Sequence, residues 1–306
     1  MAWSTSDIPT QRGRTALVTG GNGGLGLHTA AALAQQGADV VIAARNPEKA
    51  EAALNTIRAL TPEARVEAWA LDLSSLASVR SFVDRWLSER GALDLLANNA
   101  GVMAIPRTLS ADGFEMQLAT NHLGHFALTL GLMPALQRAP SARVVTVSSG
   151  MHWMGSVHLD DLDGARGYDA WAWYSQSKLC NLLFTAELDR RLRSAKSAVA
   201  ALAAHPGYAA TDLQHVAPTQ TGSTFGAALF TVGNTVFAQS AASGALPTLR
   251  AATDPEARGG EFFGPRFLDW FGAPTQSARS SAAKDVKLAA ALWEVSELRT
   301  GLSLAL

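Results

Sequence analysis

The chain has 306 residues, 48% hydrophobic and 17% charged, which is enough apolar material for a sizeable core and excludes a disordered or highly charged chain. Its 25 Lys and Arg against 26 Asp and Glu leave a formal net charge of -1, and with no Lys/Arg run the sequence excludes a polyanion-binding protein, so no nucleic-acid partner is expected. Cys180 is the single cysteine, which excludes an intrachain disulfide and fits a cytoplasmic protein.

The first fourteen residues, Met1 to Arg14, are polar and lack the apolar run of a signal peptide or anchor. Short apolar runs then alternate with segments of helical period. Strands are expected at Ala16 to Val18, Asp39 to Ala44, Val66 to Leu71, Leu93 to Ala97, Arg143 to Val147 and Ala198 to Ala204. Helices are expected at Leu25 to Gln36, Pro47 to Leu60, Leu76 to Arg90, Phe114 to Gln137 and Ala172 to Arg193. Such alternation predicts an α/β chain, a doubly wound parallel sheet of Rossmann type with helices on both faces, in a single domain over residues 1–306. After Pro206-Gly207 the pattern loosens, and 208–306 reads as a substrate lid and C-terminal elements. Residues 208–240 fit either a lid over an apolar pocket or a packed core helix, and further helices are expected at Ser243 to Ala252 and Ala282 to Ser296. The apolar stretch Phe225 to Ala238 is too short and too polar to span a bilayer, so no membrane span is expected.

Chemistry concentrates at the ends of the expected strands. Thr19-Gly20-Gly21-Asn22-Gly23-Gly24-Leu25-Gly26 leaves the first strand and opens the first helix. There glycines permit a tight turn and the helix start offers N–H groups to a pyrophosphate. Gly20, Asn22, Gly24, Leu25 and Gly26 are thus candidate cofactor contacts. The second strand ends Ala43-Ala44-Arg45, with no carboxylate to take the adenosine ribose. Arg45 either offers a planar cation to a 2′-phosphate, which makes NADP(H) the expected cofactor, or is a solvated loop residue. Asp72 and Leu73 follow the third strand, where Asp72 could meet an adenine or cap the next helix, although Ser74 or Ser75 stands better for capping. Asn98-Asn99-Ala100-Gly101 follows the fourth strand and either lets a ribose approach the backbone or forms a simple turn. Tyr174 and Lys178, four apart, share one helix face, where an ammonium can favour a phenolate whose free pKa is about 10.

In this order the Thr-Gly-x-x-x-Gly-x-Gly turn, Asn-Asn-Ala-Gly and Tyr-x-x-x-Lys resemble the short-chain dehydrogenase/reductase family over about residues 12–212. Asn121-His122-Leu123-Gly124-His125-Phe126, the wide gap between serine and tyrosine, and Tyr174 to Leu183 resemble most its retinol dehydrogenase-like branch and bacterial relatives. The resemblance implies an oxidoreductase of carbonyl reductase or alcohol dehydrogenase type that reversibly reduces a ketone or aldehyde. It assigns Tyr174 as general acid/base, Lys178 as the group that lowers its pKa and holds the nicotinamide ribose, Ser149 to the substrate oxygen, and Asn121 to a relay water. It places Pro206, Gly207 and Thr211 along the nicotinamide and its phosphates. The spacing of that branch favours Ser149 over its neighbour Ser148. It also implies a possible homodimer through the helices at Phe114 to Gln137 and Ala172 to Arg193, unless an insertion covers them.

That insertion, 151–172, follows from the 25 positions between Ser149 and Tyr174. It carries Met151, His152, Trp153, Met154 and Trp171, with Trp173 just beyond, which either line a pocket for a bulky hydrophobic substrate or pack beneath a loop. Candidate substrate contacts are Ser149, Met151, Trp153, Trp171 and Tyr174. The polar N-terminus favours a diffusible hydrophobic substrate over retinal itself. His122, His125 and His205 lack metal-ligand spacing, so no metal is expected. Two other readings stand beside this one. A nucleotide-sugar epimerase or dehydratase is disfavoured by the glycine spacing, and a catalytically silent dinucleotide sensor by the intact Asn121, Ser149, Tyr174 and Lys178.

Overall fold

A computed structural model describes residues 2–208 and 240–306. The elements are β1 (Thr15–Thr19), α1 (Gly24–Gln35), β2 (Asp39–Ala44), α2 (Pro47–Leu60), β3 (Val66–Ala70), α3 (Leu76–Glu89) and β4 (Leu95–Asn98). After them come α4 (Met116–Leu118), a π-helical turn (Ala119–Leu123), α5 (Gly124–Gly131), α6 (Met133–Gln137), β5 (Arg143–Val147), α7 (Ala170–Ser194) and β6 (Ala200–Ala204). Past residue 239 lie α8 (Ala241–Thr253), β7 (Phe262–Phe267), β8 (Phe271–Gln276) and α9 (Val286–Thr300).

The eight strands among the described residues form one sheet in the order β3-β2-β1-β4-β5-β6-β7-β8, parallel except for the antiparallel edge strand β8. The order reverses between β1 and β4, and the carboxyl ends beside that reversal leave a crevice suited to a ligand. Because side chains alternate along a strand, Leu17 and Val41 feed one core layer, whereas Ala16, Val18, Val40 and Ile42 feed the other. Both faces are covered, which is why these strands read as continuous apolar runs. Helix α3 shows the matching helical period, burying Val79, Phe82, Val83 and Trp86 on one side.

Two expected helices need correction, and two further segments take shapes that the sequence left open. The long helix at Phe114 to Gln137 is broken into α4, the π-turn, α5 and α6, and Pro134 inside the first turn of α6 accounts for the last break. Residues 208–306 include a β-hairpin, β7–β8, that widens the sheet, besides the expected terminal elements. The terminal helix starts at Val286 and runs to Thr300, because Ala282–Lys284 form a separate 3₁₀ turn and Asp285 caps α9. Of 151–172, the first residues complete a 3₁₀ turn (Gly150–Met154) and the last three belong to α7.

The helical face expected to pair with a second copy is covered by α9, not by the insertion. Trp293, 1% exposed, sits edge-on to Phe126 of α5 at 4.9 Å and stacks on Phe184 of α7 at 5.9 Å. The Arg191 guanidinium lies 4.5 Å from the same ring, and Ser296 bonds His122 at 2.8 Å. Arg299 pairs with Asp163 at 2.8 Å, tying α9 to the insertion. Among the described residues no helix is long and apolar enough to cross a membrane.

Candidate active site

A cleft of about 340 Å³ opens at the carboxyl ends of β1, β2, β3 and β4. Gly20, Asn22, Gly24, Leu25, Gly26, Arg45, Asp72, Leu73, Asn99, Ala100 and Gly101 all line it, so most of the residues singled out in the sequence for a dinucleotide meet in one place. The turn depends on its glycines. Gly20 holds φ +66°, and a Cβ on Gly26 would overlap the Gly20 carbonyl oxygen. Helix α1 begins at this turn from Gly23 without a side-chain cap, whereas Asn46, Ser75 and Asp169 cap α2, α3 and α7. Its first N–H groups are left to a ligand or water, the arrangement that suits an anion. A pyrophosphate fits this cradle.

Among the described residues expected to touch the cofactor, Asn98, Pro206, Gly207, Tyr174 and Lys178 are not among those lining this cleft. Asn98 is fully buried and donates from Nδ2 to Thr129 Oγ1 at 2.9 Å, so its side chain belongs to the core. Alternation explains the miss, since Asn98 closes β4 and faces inward while Asn99 turns out. Asn99 donates from Nδ2 to the Thr19 carbonyl at 2.8 Å. Pro206 and Gly207 follow β6 and are not among the cleft's lining residues, and Gly207 N–H donates to His205 Nδ1 at 3.3 Å. Thr211, with nearly all of 208–240, lies outside the described residues. Asp72 lines the cleft while its Oδ1 accepts from Ser74 N–H and Oγ at 2.9 and 2.7 Å, and the helix cap is Ser75. The sequence reading missed Lys49, which lines the cleft beside Arg45 in the first turn of α2, and its place four residues after Arg45 was the available signal.

The second group stands where β4, β5 and α7 meet. Tyr174, 6% exposed, stands beside the Ser149 side chain, and Lys178 Nζ lies 5.7 Å from the tyrosine ring centre. Lys178 is buried and donates to the Val147 carbonyl at 3.3 Å. Ser148 is buried as well, its hydroxyl donating to the Lys178 carbonyl at 2.7 Å, which leaves half-buried Ser149 as the serine beside the phenol. Asn121 accepts from Val102 N–H at 2.8 Å through Oδ1 and donates from Nδ2 to Ser177 Oγ at 2.9 Å. The two groups join at Gly101, where a Cβ would stand 3.0 Å from Asn121 Oδ1 and 3.4 Å from Lys178 Nζ.

Burial sets the resting protonation. It pushes the Tyr174 hydroxyl up to about 12, against the opposing pull of the Ser149 bond, and holds the Lys178 ammonium down to about 8. In the chain alone burial outweighs the Ser149 contact, and the phenol is not acidified. At neutral pH the site holds a protonated phenol and a charged amine.

The aromatic set divides. Trp171 is half-buried with its ring edge-on to Tyr174 at 6.2 Å, and Met151 is half-buried next to Ser149. Trp153 is 53% exposed. Trp173 instead packs under the insertion, stacked on His158 at 5.8 Å and donating to the Leu162 carbonyl. His152 is buried, with Nδ1 at 2.8 Å from the Ser149 carbonyl and Nε2 accepting from Ser280 N–H at 3.3 Å, so it braces the serine turn. Among the described residues no group of His, Cys, Asp or Glu could hold a metal ion.

The profile of the short chain dehydrogenase family matches residues 14–221, and the chain belongs to that family, in its retinol dehydrogenase-like part. It is 38% identical to mouse retinol dehydrogenase 12 over 286 residues, covering 93% of this chain and 85% of that protein. It is 45% identical to human retinol dehydrogenase 13 over 211 residues, 69% of this chain and 62% of the human protein. Among solved structures, an uncharacterized protein from Mycobacterium paratuberculosis is 44% identical with a TM-score of 0.83, covering 100% of both chains. The chain is thus an oxidoreductase of this family by sequence and by fold.

Proposed function

We propose that the chain reversibly reduces a bulky hydrophobic ketone or aldehyde with NADPH, using Tyr174 as general acid/base. The reading rests on one observation, the buried Tyr174 hydroxyl beside the Ser149 side chain and buried Lys178, a group that adjoins at Gly101 the cleft whose rim carries Arg45 and Lys49. When bound, the nicotinamide supplies the hydride. Tyr174 gives its proton to the carbonyl oxygen as charge builds there, and in the reverse direction takes the proton of the alcohol. Ser149 donates to the same oxygen and favours the charge that grows in the transition state. Lys178 contributes a buried positive charge, and Arg45 with Lys49 favours a 2′-phosphate over a bare ribose.

Trp171 and Met151, flanking Tyr174 and Ser149, supply apolar contact for a large substrate body. The test is NADPH consumption by the purified chain across aromatic and alicyclic ketones and aldehydes, 4-nitrobenzaldehyde included. Turnover with NADPH well ahead of NADH is expected. Tight NADPH binding with no turnover of any carbonyl would favour the silent sensor instead.

A further inference from the structure

His125 has no part in the chemistry above, yet it joins the glycine-rich turn to Asn121. It is fully buried at the start of α5, one turn beyond Asn121. Its Nδ1 lies 3.1 Å from the Asn121 carbonyl oxygen and its Nε2 lies 2.9 Å from Thr19 Oγ1. Counting donors fixes the ring proton. Thr19 Oγ1 accepts from the N–H groups of Asn99 and Ala100 at 2.9 and 3.0 Å, which fills both lone pairs. Its own hydrogen goes outward, and the imidazole at 2.9 Å is nearer than the Ala97 carbonyl at 3.3 Å. Nε2 is then the acceptor, and Nδ1 carries the hydrogen that the Asn121 carbonyl receives. A neutral ring suits the site, because burial holds its pKa down to about 4, with the Asn121 carbonyl opposing and the Lys178 ammonium adding to the depression.

The bonds continue on both sides. Thr19 holds the Asn99-Ala100 loop and sits just before Gly20. Asn121 grips Val102 through both ends of its amide and bonds Ser177, whose hydroxyl donates to the Tyr174 carbonyl at 2.7 Å. Asn121 also lies in a π-turn, where Gly124 N–H reaches the Ala119 carbonyl five residues back. An irregular turn of this kind has weaker backbone constraints than an α-helix and benefits from a side chain that fixes it.

We propose that His125 is a positioning residue that sets the dinucleotide turn in register with Asn121 and the catalytic helix, through a Nδ1–H imidazole bonded to both. This rests on the role proposed above for Tyr174. An asparagine amide reaches where Nδ1 stands and a glutamine amide where Nε2 stands, so His125→Asn drops the Thr19 link, His125→Gln drops the Asn121 link, and His125→Phe drops both.

With NADPH and 4-nitrobenzaldehyde, kcat should fall about tenfold in the first two variants and about 30- to 100-fold in His125→Phe. KM for NADPH should stay within about threefold, and the deuterium isotope effect from labelled NADPH should rise as hydride transfer becomes limiting. Independently of turnover, ¹⁵N-histidine NMR of the parent chain at pH 7 should show His125 protonated at Nδ1 and bare at Nε2. A ring protonated at Nε2 overturns the proposal, as does a folded His125→Phe with kcat within about twofold of the parent. If the parent itself turns over no carbonyl, the proposed activity fails while the NMR result still decides the link.

Discussion

The cleft half of the molecule, β1 through β4, and the closing third after β6 share one sheet but are held by different means. In the first, each unit is local, an apolar strand, a polar turn and the helix that follows, and the turns converge on one crevice. In the second, β7 meets β6 over only Ala203–Phe262 and Ala204–Phe263, β8 folds back on it, and α9 seals the helical layer through Trp293. Chemistry therefore sits where chain ends leave groups unpaired, and closure sits where large side chains meet across long sequence distances. Substitutions in the two regions should separate activity from stability.

The largest effect belongs to Tyr174 on α7, whose group adjoins the cleft at Gly101. Tyr174→Phe removes the hydroxyl and keeps the ring that faces Trp171, so turnover should fall by about 10²- to 10⁴-fold with an unchanged melting temperature. Steady-state kinetics and thermal melting on one preparation check it, and a variant retaining a tenth of the parent rate would break the assignment. On the closing side, Trp293→Ala should cost about 3–5 kcal/mol in denaturant unfolding, as expected for a fully buried tryptophan that packs on Phe126 and Phe184. Its kcat should stay within about twofold of the parent when folded. The bared face of α5 and α7 should also make the variant associate further than the parent in light scattering.

The difference between the regions also governs what could be read from the chain. The five strands from Ala16 to Val147 and helices α1 to α3 declare themselves because period, caps and turn residues are all local, down to Pro47 opening α2 and Leu60 ending it. The β7–β8 hairpin does not. Its turn is Leu268-Asp269, both at positive φ, with none of the Asn-Gly or Gly-Gly pairs that mark such turns, and Pro265 and Pro274 interrupt the strand pattern. Nor could spacing reveal that α9 covers α5, since that contact links positions more than 160 apart. At the site, the types Asn121, Ser149, Tyr174 and Lys178 were readable, but the sign of the Tyr174 shift was not, because desolvation depends on everything packed around the phenol.

Lys178 tests both regions at once, because a buried charge serves chemistry at the expense of stability. Its pKa is about 8 when folded and near 10.5 when unfolded, so between those values the unfolded chain binds more protons and stability rises with pH. Tyr174 acts oppositely above about pH 10, where the unfolded phenol ionises first. At pH 7 the amine is charged in both states and detracts from folding. Lys178→Met should therefore stabilise the chain by about 1–3 kcal/mol and abolish turnover, with denaturant midpoints and rates as the measurements. In the parent, kcat/KM for reduction should decline above pH 8 as the free enzyme's amine loses its charge.

The smallest effect is expected at the rim of the cleft, where Arg45 and Lys49 are both exposed. A 2′-phosphate there meets two cations that water also screens, so each contributes modestly. Arg45→Ala should lower kcat/KM for NADPH about ten- to a hundredfold and leave NADH within about twofold, and Lys49→Ala should do the same to a lesser degree. Raising the salt concentration should reduce the parent's preference, and that of Arg45→Ala less steeply, since only Lys49 is then left to be screened. Equal losses with both cofactors would mean that Arg45 holds a part of the dinucleotide common to them, and the adenosine end of the cleft would then distinguish nothing that α1 and its glycines do not already bind.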